Sequence, residues 1–63
     1  MKIEFIVDTN NIVMFAEILD ANEMENRITG ATEEGNLLID VYYNKNNRSA
    51  IEELEEIAVS DDE

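Results

Sequence analysis

Neither cysteine nor histidine occurs in this chain of 63 residues. Without cysteine there can be no disulfide, and without both the ordinary ligands of structural zinc are gone. Proline is absent too, and glycine occurs only at Gly30 and Gly35, so the connections should be few and short. Bases are scarce: four lysines and arginines stand against sixteen acids, for a net charge of −12. Such a field repels nucleic acid and anionic membranes and attracts basic protein surfaces. Long apolar runs are also missing. The longest uncharged stretch, Thr9 to Ala16, falls far short of the roughly 20 residues that cross a bilayer. No basic segment followed by an apolar stretch succeeds Met1, so a cytoplasmic location is expected. Asn47-Arg48-Ser49 matches the N-glycosylation pattern, which has no use without a secretion route.

The same absences narrow the chemistry. Acid–base or nucleophilic catalysis would fall to carboxylates, Ser49, Ser60, the tyrosines or two lysines, and so short a chain has little room for a substrate cleft. No enzymatic activity and no cofactor are expected. Asp8 and Asn10 fit the first and third positions of a calcium loop, but Ile12 and Val13 stand where an oxygen ligand and a glycine are needed. No metal is expected. The two glycines match neither a P-loop nor a dinucleotide-binding turn. Tyr42 and Tyr43 would suit base stacking, yet such platforms lie in basic surroundings, and only Lys2, Arg27, Lys45 and Arg48 are available. Direct nucleic-acid binding is not expected.

What is present describes a folded domain. Hydrophobic residues make up 44% of the chain, which argues against disorder despite the charge. A chain of this size buries only about 60% of its unfolded surface, so stability is marginal and association would help it. "KIEFIV" alternates, with Ile3, Phe5 and Val7 on one side and Lys2, Glu4 and Ile6 on the other: a half-buried strand. "DTNN" offers capping oxygens to the segment over residues 10–21, where apolar residues at 12, 15, 16 and 19 recur at helical spacing. Its β-branched residues leave a strand as the competing assignment. "ENRITGAT" reads as a weak strand with Ile28 its one large inward residue. "EEGN" is a turn using Gly35 for a positive φ. "LLIDVYY" is the strongest strand, with Leu37, Ile39, Val41 and Tyr43 facing one way and Leu38, Asp40 and Tyr42 the other. The last helix is expected to open on a capping box, Ser49 with Glu52. Its apolar stripe is Ala50, Ile51, Leu54, Ile57 and Ala58.

The order β-α-β-β-α predicts a single small two-layer α+β domain over residues 1–59: two helices on one face of a three-stranded antiparallel sheet. The right-handed crossover rule gives the strand order 1-3-2. Residues 60–63 are expected to be an acidic flexible tail. In its element order the arrangement resembles a ferredoxin-like unit lacking its last strand. On that reading strand 1 leaves an open outer edge, protected only by Lys2 and Glu4.

Two surfaces follow as candidate partner sites. Residues 48–63 hold seven acids and one base, half the net charge in the last quarter of the chain. Helix stability alone favours acids in the first turn and bases in the last. Glu52 and Glu53 comply; Glu55, Glu56, Asp61, Asp62 and Glu63 do not, and Glu52 and Glu56 are a like-charged pair four residues apart. A uniformly negative helix face imitates a phosphate backbone, so Glu52, Glu53, Glu55, Glu56, Asp61 and Asp62 are the expected contacts with a basic surface of a protein partner. In size and charge the chain is similar to small acidic inhibitors of nucleic-acid enzymes, among them phage-encoded anti-restriction and anti-CRISPR proteins. The second surface is the open sheet face: Ile6, Leu38 and Tyr42, ringed by Glu4, Arg27 and Asp40. With Lys2 and the strand 1 edge, it would join two copies as a homodimer. The alternative function is therefore a structural or oligomerisation module whose acids only confer solubility.

Overall fold

A computed structural model describes the backbone of residues 1–62 and the side chains of residues 1–59. The chain runs through β1 (Lys2–Asp8), α1 (Ile12–Ala21), β2 (Asn26–Ala31), β3 (Asn36–Tyr42), α2 (Arg48–Ile57) and β4 (Ser60–Asp62). The sheet is ordered β2-β3-β1-β4, and every neighbouring pair is antiparallel. The expected three-stranded arrangement, 1-3-2 with two helices, is therefore present. It is extended by one short strand.

That strand closes an edge the sequence left open. Ser60–Asp62, which the sequence assigned to a tail, pairs with Glu4, Phe5 and Ile6, and the Val59 N–H donates to the Ile6 carbonyl at 2.7 Å. The segment has no apolar residue to announce a strand. It pairs because α2 ends beside β1, and the unpaired backbone groups of a sheet edge gain from any strand delivered to them.

Alternation in β1 and β3 builds the floor of the core. Ile3, Phe5, Val7, Ile39 and Val41 are all buried under the helices, as the period-2 pattern predicts. From above, α1 contributes Phe15 and Leu19 and α2 contributes Ala50, Ile51 and Leu54. Phe5 and Phe15 meet edge to face at 5.4 Å between ring centres, a favoured aromatic geometry. Residues 12–21 are helical, which settles the helix-or-strand question. Asp8 starts the segment: its side chain accepts from the Asn10 N–H at 2.7 Å and opens a 3₁₀ turn over Thr9–Asn11 that runs into α1.

Three local expectations differ from what is seen. Ser49 and Glu52 do not cap α2. The helix begins at Arg48, and the reciprocal cap sits one 3₁₀ turn earlier, between Asn44 and Asn47. The strand β3 ends at Tyr42, so the chain must turn at once, and Asn44 is the first side chain able to bond the free N–H groups of that turn. Ile28 is not inward: it pairs with Ile39 but is 59% exposed, because β2 lies at the sheet margin beyond the cover of the helices. Met24, unassigned by periodicity, is buried. It follows a left-handed Glu23 (φ 52°), and its N–H donates to the Leu19 carbonyl at 2.9 Å while the Glu23 N–H donates to Asp20. That is a Schellman closure, whose hydrophobic residue folds back on the helix. The expected turn before β3 does form, with Gly35 at φ 87°.

Candidate interaction surfaces

The outer surface of α2 is acidic, while α1 exposes Val13 and Met14 beside its acids. In α2 the buried stripe of Ala50, Ile51 and Leu54 forces Glu52, Glu53, Glu55 and Glu56 outward, and all four are exposed. Residues three and four apart on a helix lie about 5–6 Å from each other, so these carboxylates form a close-set band. Helix α1 packs beside α2 and adds exposed Glu17 and Asp20. Arg48 is the one base in either helix. The side chains of Asp61 and Asp62 lie outside the described residues, as does Glu63. Their backbone pairing places Asp61 and Asp62 in β4, beside β1.

The opposite side of the sheet carries a different pattern. Cross-strand register brings Lys2 opposite Tyr42, Glu4 opposite Asp40 and Ile6 opposite Leu38, with Arg27 beside Asp40. The sequence-derived cluster is therefore assembled on one face. Ile6 and Leu38 are half-buried, and Tyr42 is 36% exposed. Asp40 is only 9% exposed although no helix covers it. The neighbouring side chains shield it, and the Lys2 ammonium stands 3.8 Å from its carboxylate. Lys2 is itself about half exposed, so the pair is worth only a few tenths of a kcal/mol, up to ~1 kcal/mol.

A third surface was not foreseen. An open groove of about 320 Å³ lies where Met1 and Ile3 meet Tyr43, Lys45, Arg48 and Glu52. The amino terminus is tied there, donating to the Tyr43 carbonyl at 3.1 Å. The sequence signal for it is residues 41–51, which hold two of the four bases and no acid. Acid and base both line the groove, and no nucleophile–base pair stands in it. Among the described residues no three metal-ligating side chains gather, and no helix is long and apolar enough to cross a membrane. No family model, no curated protein and no solved structure matches the chain.

Proposed function

We propose that this chain is a non-enzymatic binding protein that uses the acidic helical layer to occupy a basic, nucleic-acid-binding surface of a protein partner, and so inhibits it. The observation that carries this reading is the band of exposed Glu52, Glu53, Glu55 and Glu56 on α2, joined by exposed Glu17 and Asp20 of α1. Two of these glutamates sit where the helix dipole disfavours them. Helix stability alone gives no reason for that placement; a basic partner does. The helix supplies a rigid spacing of negative charge, and such surfaces accelerate encounter with basic grooves.

The test is capture of a basic DNA- or RNA-binding protein on immobilised chain. Capture should be competed by duplex DNA and lost between about 0.05 M and 0.5 M salt, where the screening length falls from roughly 14 to 4 Å. Reversing Glu52, Glu53 and Glu56 to Lys should abolish capture with the circular dichroism spectrum unchanged. Undiminished capture by the folded triple variant would sink this reading and leave solubility as the role of the acids.

A further inference from the structure

We infer that the open sheet face is a docking surface for a second copy of this chain, forming a weak two-fold dimer. The strand 1 edge, the other joint suggested by the sequence, is occupied by β4. The face itself carries a self-complementary charge pattern. Glu25 accepts from the Tyr42 N–H through its backbone carbonyl at 2.9 Å, which extends the row of Lys2 and Tyr42 to three strands. The next row is Glu4, Asp40 and Arg27, and the next Ile6, Leu38 and Gly30.

Consider a two-fold axis lying between two such faces and running along β3. It lays β1 of one copy over β2 of the other and keeps the rows together. Lys2 then meets Glu25 of the second copy, and Glu4 meets Arg27; symmetry repeats both contacts. Leu38 and Tyr42, on the axis, meet their own mates and bury apolar surface. Asp40 also nears its mate, but it is already shielded and held by Lys2. Moving the axis half a strand spacing, to between β3 and β1, would oppose Glu4 to Asp40 twice, whereas the first arrangement sets like charge together only at Asp40, so charge favours it. Aligned stacking of this kind is the ordinary way two sheets share a core.

Area sets the strength. Three strands about 4.8 Å apart and seven residues long at about 3.3 Å each give a footprint on the order of 350 Å² per copy. Doubled, this stays well below the roughly 1,200 Å² at which stable interfaces begin. The dimer should therefore be monomeric when dilute and assemble only at high concentration.

Sedimentation equilibrium of the intact chain from about 0.01 to 1 mM should show a monomer passing into a dimer, as expected for a small interface. On dilution, amide resonances of β1, β2 and β3 should shift and those of α2 should stay in place. Glu4→Arg and Arg27→Glu should each abolish self-association, because each sets like charges against one another. Mixed in equal amounts, the two variants should form a heterodimer about as tight as the wild-type dimer, since both contacts between positions 4 and 27 are again opposite in sign. A wild-type chain that stays monomeric to about 1 mM overturns the inference. So does a dimer that survives either substitution, one whose dilution shifts map outside the open face, or a folded mixture that fails to associate.

Discussion

The helical layer and the open sheet face use charge in opposite ways. On the helices the exposed ionisable groups are nearly all acids: Glu17, Asp20, Glu52, Glu53, Glu55 and Glu56 against Arg48. At the centre of the sheet face two bases, Lys2 and Arg27, interleave with two acids, Glu4 and Asp40, around Ile6 and Leu38. A chain at −12 that needed only to stay in solution could spread its acids over both. The difference teaches that net charge, read alone, hides two surfaces with different chemistry. One is nearly all acid, and the other mixes both signs around an apolar centre.

The comparison breaks most completely at the core that both layers share. Leu54 is fully buried between helix and sheet, and Leu54→Ala should cost about 2–5 kcal/mol, a large part of the stability of so small a domain. Urea unfolding measures it, and both binding behaviours should fail together in this variant. A sharper division comes next. The Glu52/Glu53/Glu56→Lys variant should lose partner capture while keeping self-association, and Arg27→Glu should do the reverse. Each loss should be about tenfold or more, since paired charges across an interface are removed. If one substitution removed both behaviours in a folded protein, the two surfaces would not be independent.

Smaller effects test how the helical layer is held on the sheet. Asn44→Ala, which removes the reciprocal cap with Asn47, should cost about 1 kcal/mol, whereas Ser49→Ala should stay within about 0.5 kcal/mol. A larger loss at Ser49 would restore the cap expected from its spacing. Glu23→Gly should raise stability by about 0.5–1 kcal/mol, because glycine adopts the left-handed conformation found there without strain. Thermal unfolding reads all three, and none should alter either surface.

Much of this fold was legible in the residues, for reasons that differ by element. β1 carries alternation over Ile3–Val7 and burial follows it residue by residue, while in β3 the inward Ile39 and Val41 are buried as the pattern asks and Asp40, facing the other way, is buried as well. The stripe of α2 and the outward glutamates are one pattern seen from two sides. The failures occur where tertiary placement decides. Nothing in Ser60–Asp62 announces a strand; its position after α2 brings it to an edge. Ile28 carries the right residue type and the right register but lies beyond the reach of either helix. Met24 is buried by a helix ending that periodicity does not sense. The open face was legible as a set of residues because β1 and β3 register fixes it, while the groove at Met1 and Tyr43 required knowing that the amino terminus bonds the end of β3.

The short strand β4 has one more implication, for growth. Sheets that extend from molecule to molecule need two free edges on every unit, as a chain of links needs two open ends. Here one margin is β4, only three residues long, and the other, β2, is interrupted by a register shift between Ile28 and Gly30. Neither margin offers a long regular edge, so edge-to-edge growth has little backbone to pair with.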